Sequence, residues 1–176
     1  MTPRSDILPS PLPSKREGER RTLFAGSFNP FTRGHLRIVE RALKVADSVV
    51  IAVGVNISKS SPEDRQRRRS ELENRLLMIE KAVRKLNDLS SHPRVFALAY
   101  EGLTAETAKK LEVDFLIRGV RNVADFEYER NLADINLKVL GVETVLLCAE
   151  PEYSYLSSST VRELQAHGYD TNQLLP

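Results

Sequence analysis

The stretch "SVVIAVGV", residues 48–55, is almost wholly apolar and rich in β-branched residues. A strand with one wet face alternates apolar and polar residues, whereas a strand of a parallel sheet is covered on both faces and does not. The stretch therefore predicts a buried parallel strand. Because parallel strands must be joined by crossover connections, it also predicts helices on both sides of the sheet.

Four further apolar segments have the length of strands, and helical patterns separate them. They are Thr22 to Ala25, "RVFALAY" from residue 94, "DFLIRG" from residue 114 and "TVLLCA" from residue 144. Five strands that alternate with helices predict an α/β fold, a doubly wound five-stranded parallel sheet of the Rossmann-like type.

Helix start signals place the first two helices. Thr32 precedes an apolar pattern of helical spacing, and Ser70 with Glu73 forms a capping box ahead of a second pattern. The polar, charged segment 58–69 before Ser70 is predicted to be a mobile loop.

Two later helices are also indicated. One is predicted over Asp125 to Leu140 and ends at Gly141. Thr160 with Glu163 suggests the capped start of the last helix, which ends near Gly168.

The length of 176 residues favours one domain. Residues 1–20 are rich in Pro, Ser and charge and are predicted to be a disordered extension, so that the folded domain spans residues 21–176. Cys148 is the only cysteine, and no apolar run is long enough for a membrane span. We expect a cytoplasmic protein in which Cys148 is a buried structural thiol.

Unusual polar residues follow each predicted strand, and the first loop, "GSFNPFTRGH", is the most distinctive. In an open parallel sheet, ligands bind beyond the carboxyl ends of the strands. Gly26 and Gly34 permit close approach, while Ser27, His35 and a helix N-terminus offer hydrogen-bond donors to an anion. The alternative is a Gly/Pro turn with a solvated histidine. Neither dinucleotide-binding nor P-loop glycine patterns occur.

Two further strand ends carry groups that suit phosphate. Arg118 and Arg121 flank Gly119, and guanidinium groups bind phosphate oxygens bidentately. The alternative is pairing with acidic residues of the next helix: Asp125, Glu127 or Glu129. Ser157 to Ser159 can bind an anion or simply cap a helix.

Other chemistries have little support in the chain. The three histidines are not grouped with cysteines, so no metal site is predicted, and no Ser or Cys triad is evident. The run Arg65 to Arg69 lies among acidic residues, which favours a solvated face over a nucleic-acid site. Cationic and N–H donor groups at successive strand ends suit transfer at phosphorus, where positioning and charge stabilisation supply most of the catalysis.

At "GSFNPFTRGH", "LIRGVRNVADFEYE" and "YSYLSSSTVREL" the chain resembles the bacterial phosphopantetheine adenylyltransferases, nucleotidyltransferases with the T/H-x-G-H motif. The likeness runs from about Thr22 to beyond Leu164, and the "RGVRNVADFEYE" block is its most specific part. It implies the nucleotidyltransferase fold and AMP transfer from ATP to 4'-phosphopantetheine, which yields dephospho-coenzyme A and pyrophosphate. Mg2+ would enter mainly through the ATP phosphates.

The resemblance also implies residue roles. Ser27 would meet both ATP and the acceptor phosphate, His35 would stabilise charge in the transition state, Lys59 and Arg118 would hold the acceptor phosphate, and Thr104 would receive the pantetheine arm. The remaining ATP contacts would come from Phe28, Gly119, Val120, Arg121, Glu129, Tyr153, Ser154, Tyr155, Leu156, Ser157, Ser158 and Ser159.

Two alternatives remain at this stage. Adenylyl transfer to nicotinamide mononucleotide is favoured by Asn29, since "GSFNP" is the commoner spelling in those enzymes, and is disfavoured by "RGVRNVADFEYE". A nucleotide-binding regulatory module without catalysis is the other. The resemblance further implies a homo-oligomer, a hexamer. The composition and the mixed charges around Arg65 to Arg69 predict no nucleic-acid or membrane partner.

Overall fold

The computed structural model describes residues 12–55 and 61–176, and a five-stranded parallel sheet lies at its centre. The strands are β1 (Arg21–Gly26), β2 (Ser48–Gly54), β3 (Val95–Tyr100), β4 (Phe115–Val120) and β5 (Glu143–Cys148). Their spatial order is β3-β2-β1-β4-β5, so the chain builds outward from β1 first to one side and then to the other. This is the doubly wound fold that the sequence predicts.

In the part of the chain that the structure describes, five α-helices connect or follow the strands. They are α1 (Arg33–Ala42), α2 (Pro62–Asp88), α3 (Thr104–Lys110), α4 (Val123–Ile135) and α5 (Ser158–Ala166). A π-helical turn, Asn136–Leu140, continues α4, and short 3₁₀ turns occur at Pro151–Tyr153 and Asn172–Leu174. Within the described ranges, no helix combines the length and the apolar character needed to span a bilayer.

Strand β2, which lies between β3 and β1, is buried on both faces, as its composition predicts. Val49, Ile51 and Val53 pack against α1 and α2 on one face, while Val50 and Ala52 pack toward α3 on the other. Alternate residues of one strand thus belong to two separate apolar layers. Each fully buried aliphatic side chain of this kind contributes about 1.5–3 kcal/mol, so the sheet provides a rigid base for its loops.

Helix α2 begins earlier than the sequence predicts. Its N-cap is Ser61, whose hydroxyl accepts from the Asp64 N–H at 3.3 Å, and the helix runs without a break past Ser70. Most of the segment predicted as a mobile loop is therefore helical from Pro62 onward, and the predicted cap at Ser70 is wrong. The first turns of α2 carry polar and charged residues, and the residues of α2 that pack in the apolar layer begin only at Leu72. These turns therefore lack the apolar periodicity from which a helix is predicted.

Helix α1 begins at the predicted cap Thr32, whereas α4 and α5 begin before their predicted starts. Asn122 caps α4 through the Asp125 N–H, and Ser157 caps α5 through the Thr160 N–H. The predicted end of the α4 segment at Gly141 is confirmed, because Gly141 has a left-handed φ of 66°. Helix α3 was not predicted, and it lacks a side-chain cap.

Residues 12–20 pack against the domain, although the sequence predicts disorder up to residue 20. Lys15 forms an ion pair of 2.7 Å with Asp114, and Glu19 is buried next to Arg21, which donates to it at 3.3 Å. Leu12 packs against the apolar layer that includes α3. Residues 12–20 are therefore held to the domain by an apolar side chain and a buried ion pair, and residues 1–11 lie outside the described residues.

Candidate active site

A cavity of about 290 Å³ opens beyond the carboxyl ends of β1 and β4. Neighbouring connections leave the sheet in opposite directions here, because β1 joins toward β2 while β4 joins toward β5. The cavity lies at the switch point of the doubly wound sheet, where such folds bind their ligands. The loop after β1, the start of α1, the end of β4 and the start of α5 all contribute to its walls.

Most of the predicted site residues meet at this cavity. Those that line it are Ser27, Phe28, Gly34, His35, Arg118, Gly119, Arg121, Glu129, Tyr153, Leu156, Ser157, Ser158 and Ser159. They come from three segments that are distant in sequence, so the fold has assembled them.

Several predicted residues lie away from the cavity lining. The Thr104 hydroxyl forms a 2.7 Å hydrogen bond with Tyr100, Ser154 donates to the Pro151 carbonyl, and Tyr155 is exposed. Val120 is buried at the end of β4. Lys59 lies outside the described residues.

His35 is held by the N-terminus of its own helix. The Thr32 N–H donates to His35 Nδ1 at 3.0 Å, and the Thr32 hydroxyl accepts from the His35 N–H at 3.4 Å. This is a capping box in which an imidazole replaces the usual Glu or Gln. Because Nδ1 acts as an acceptor, the hydrogen-bond network assigns the proton of the neutral ring to Nε2. His35 therefore has one remaining donor.

The pKa of His35 is lowered to about 4, mainly by burial and in addition by the positive charges of the nearby Arg121 and Arg118. The ring is partly open to the cavity, but apolar groups surround its body. Protonation would also cost the Thr32 hydrogen bond, since Nδ1 could no longer accept it. At neutral pH, His35 is thus an uncharged donor and not a cation.

Three phenylalanines fix the plane of the imidazole. The ring of Phe28 meets it edge to face at 5.1 Å between centroids, and Phe31 stacks on it at 5.5 Å. Phe24 lies at 6.2 Å. A Cβ added at Gly26 would lie 3.0 Å from the Phe28 ring, so only glycine leaves room for that ring. The "FAGSFNPF" pattern thus builds the wall that orients His35.

Arg118 and Glu129 form a bidentate pair inside the site. Arg118 Nε donates to Glu129 Oε2 at 2.7 Å and Nη2 donates to Oε1 at 2.5 Å, while Nη1 donates to the Ala25 carbonyl. Glu129 is only 7% exposed. The pair holds the guanidinium against the end of β1.

Arg121 pairs with Asp125 one turn into α4. Arg121 Nε donates to Asp125 Oδ2 at 2.7 Å, and this hydrogen bond lowers the pKa of Asp125. The arginine pairing that the sequence left open therefore uses Asp125 and Glu129. The lining also contains Arg162, so three guanidinium groups face two carboxylates and one positive charge is in excess. The excess positive charge attracts an anion, while Asp125 and Glu129 keep their arginine partners in place.

Two residues of α5 fasten the loop after β1: Ser158, which the sequence singled out, and Arg162, which it did not. Arg162 Nη1 donates to the Asn29 carbonyl, and the Ser158 hydroxyl donates to the Pro30 carbonyl at 2.8 Å. The peptide bond between Asn29 and Pro30 is cis. Arg162 had no signal in the sequence beyond its position one turn into a helix that follows a serine run.

A second ion pair fastens the segment after β5 to α1. Arg37 donates to Glu150 at 3.0 Å through Nε and at 2.8 Å through Nη2, and it also pairs with Glu40 on its own helix. The hydrogen bonds from Arg37 lower the pKa of Glu150. Glu150 begins the segment that carries Tyr153 into the cavity wall.

Two helix N-termini face the cavity region, those of α1 at Gly34 and of α5 at Ser158. Their unpaired N–H groups and positive dipole ends favour an anion. Among residues 12–55 and 61–176, no group of three or more His, Cys, Asp or Glu could hold a metal ion. The site is thus equipped for phosphate groups.

A fold and site of this kind define a nucleotidyltransferase, and the family described as cytidylyltransferase-like matches residues 23–164. Two relatives are named phosphopantetheine adenylyltransferase. The one from Phocaeicola vulgatus is 44% identical over 159 residues, which cover 89% of this chain and 95% of the relative. The one from Porphyromonas gingivalis is 42% identical over 154 residues, which cover 88% of this chain and 92% of the relative. The chain therefore belongs, within the cytidylyltransferase-like family, to the phosphopantetheine adenylyltransferases.

A solved structure of a bifunctional NMN adenylyltransferase/ADP ribose pyrophosphatase from Francisella tularensis is also similar. Its TM-score is 0.56, with 15% identity over 89% of this chain and 45% of that chain. At this identity the likeness shows the fold alone.

Proposed function

We propose that this chain transfers AMP from ATP to 4'-phosphopantetheine and releases pyrophosphate and dephospho-coenzyme A. The observation that carries the proposal is its relatedness to phosphopantetheine adenylyltransferases over nearly its whole length. The cavity supports it, because the three segments that resemble those enzymes converge around His35.

The reaction needs little covalent help from the protein. A phosphate oxygen of the acceptor attacks the α-phosphorus in line, and the bond to the bridging oxygen breaks as pyrophosphate leaves with the electron pair. Because the acceptor phosphate is ionised at neutral pH, no general base is required. Catalysis then comes from positioning and from stabilising charge.

His35 acts as a hydrogen-bond donor through Nε2. Its fixed tautomer and packed ring direct that donor without a change of protonation state, and such preorganisation is what stabilises developing charge most effectively. Arg118 and Lys59 bind the acceptor phosphate, while Arg121 and the N-terminus of α5 bind ATP. Arg118 would exchange part of its pairing with Glu129 for phosphate oxygens.

Mg2+ enters the reaction bound to ATP, as part of the substrate. The carboxylates that line the cavity, Asp125 and Glu129, both accept from arginines. We therefore assign metal coordination mainly to the ATP phosphates, where it neutralises charge.

The NMN adenylyltransferase reaction has weaker support. The residue that favours nicotinamide mononucleotide as the acceptor is Asn29, which is exposed and does not belong to the cavity lining. The relatives at 42–44% identity have another name, and the NMN adenylyltransferase neighbour shares only the fold.

A regulatory module without catalysis is also disfavoured. The chain keeps Arg118 and Lys59, which a nucleotide sensor would not need. We also propose no nucleic-acid partner, since Arg67 and Arg69 of the basic run pair on α2 with Asp64 and Glu73.

We further propose a homo-oligomer, a hexamer by resemblance, in the cytoplasm. Exposed apolar side chains on α4 and its π turn support self-association, with Val123 73% and Val139 71% exposed. Light scattering after size-exclusion chromatography measures the assembly.

The purified chain, MgATP and one acceptor at a time test the activity, with pyrophosphate release as the readout. Release with 4'-phosphopantetheine supports the proposal. Release with nicotinamide mononucleotide alone contradicts it, and tight ATP binding without release in any mixture identifies a regulatory module.

A further inference from the structure

The loop after β1 is held on two sides, and only one side belongs to the cavity lining. Arg162 and Ser158 of α5 hold the Asn29 and Pro30 carbonyls. From the opposite side, Arg75 of α2 reaches the same loop and donates through Nη1 to the Ser27 carbonyl at 2.9 Å. The two arginines come from helices that follow β2 and β5, which lie on opposite sides of β1.

Arg75 itself is placed for this contact. It is partly buried, its Nε donates to the Glu71 carbonyl at 3.4 Å, and burial lowers its pKa while Glu71 opposes that effect. A partly buried guanidinium is stable only where it has hydrogen-bond partners, and Arg75 donates to the backbone carbonyls of Ser27 and Glu71. Arg75 does not belong to the cavity lining, whereas Ser27 and Phe28 do.

The chemical effect follows from the geometry of a peptide unit. The Ser27 carbonyl and the Phe28 N–H belong to one trans peptide and point in opposite directions. Fixing the carbonyl on the α2 side therefore fixes the direction of the N–H. A charged donor on the carbonyl also polarises the peptide, which strengthens its N–H as a donor.

We propose that Arg75 is a positioning residue, which holds the Ser27–Phe28 peptide so that its N–H donates to the reacting phosphates. The inference rests on the proposed function, because it assigns that peptide to the phosphate site. Arg75 acts through the loop and does not contact the substrate.

The test compares Arg75→Ala with Arg84→Ala, which removes the same kind of side chain from an exposed position of the same helix. Steady-state kcat and KM are measured for both substrates, with thermal unfolding as the folding control. We expect Arg75→Ala to lower kcat by about 10-fold to 100-fold, as small misplacements of a reacting group do, and to change either KM by less than about 3-fold. Arg84→Ala should retain wild-type kcat. A kcat for Arg75→Ala within about 2-fold of wild type, or equal losses in the two variants, overturns the inference.

Rescue separates positioning from general support of the fold. Arg75→Lys keeps a charged donor and should recover much of kcat, whereas Arg75→Gln, which is neutral and shorter, should recover less. If Arg75→Ala does not fold, this pair carries the test, and equal kcat values in the two variants contradict the inference. Wild-type chain without activity on 4'-phosphopantetheine would instead refute the proposed function. The inference rests on that activity and would fall with it, whereas an active wild-type chain whose kcat survives Arg75→Ala would refute the inference alone.

Discussion

The Thr32 N–H donates to His35 Nδ1 at 3.0 Å, so the residue that caps α1 also fixes the tautomer of the proposed catalytic imidazole. One local motif thereby starts the helix and directs Nε2 of His35 as a donor. This relationship explains why a histidine lies three residues after a helix cap.

His35→Ala should lower kcat much more than it weakens ATP binding, because the interaction becomes stronger as charge develops in the transition state. We expect a loss in kcat of about 100-fold or more, typical of removing one donor to a developing oxyanion. Steady-state kinetics and calorimetric titration of ATP measure the two quantities. Equal losses in both would contradict the role.

The low pKa of His35 predicts a pH-dependent contribution to stability. Its folded value of about 4 lies below the ordinary 6.5, so between these values the unfolded chain binds a proton that the folded chain does not. The free energy of unfolding should therefore fall as the pH drops from 6.5 to 4, by roughly 2–3 kcal/mol from this group.

Urea unfolding of wild type and His35→Gln at pH 7 and pH 4.5 isolates that contribution. The glutamine does not titrate, so wild type should lose more stability than the variant on acidification. The same decrease in both proteins would show that His35 has an ordinary pKa.

Gly26→Ala should impair both stability and turnover. The added Cβ would lie 3.0 Å from the Phe28 ring, which must shift and take the His35 ring with it. Overpacking of this kind costs about 1–3 kcal/mol. Adding Phe28→Leu makes room, so the double variant should unfold at a higher temperature than Gly26→Ala alone. A melting temperature of Gly26→Ala equal to wild type would show that the ring can move freely.

Glu150→Gln should raise the KM for ATP by about 3-fold to 10-fold with little change in kcat, because it releases the Tyr153 segment from α1 without touching His35. Glu40→Gln is the matched control, since Glu40 pairs with the same Arg37 but lies on α1 itself. If the two variants had the same KM, the pairing with Glu150 would not position the segment.

The fold could be predicted because its signals are local. Strand β2 is almost wholly apolar, which is typical of a strand in a parallel sheet covered on both faces. Gly141 has the left-handed conformation that often ends a helix. The start of α2 was missed because its first turns are polar and held by a cap at Ser61, so apolar periodicity begins only further along.

Most residues of the site could be predicted from the sequence, but the ion pairs between them could not. Strand-end motifs indicated His35 and Arg118, yet spacing could not decide which carboxylate each arginine meets. Glu129 lies about two turns along α4 and reaches Arg118 only because α4 packs back along β4. The contacts of Arg75 and Arg162 with the first loop join residues far apart in the chain, and no local pattern predicts them.

The most direct test of the central claim is pyrophosphate release by the full chain with MgATP and 4'-phosphopantetheine, compared with nicotinamide mononucleotide at the same concentration. The proposed function predicts stoichiometric pyrophosphate and dephospho-coenzyme A with the first acceptor and only background release with the second. Release with nicotinamide mononucleotide alone, or with neither acceptor, would contradict it.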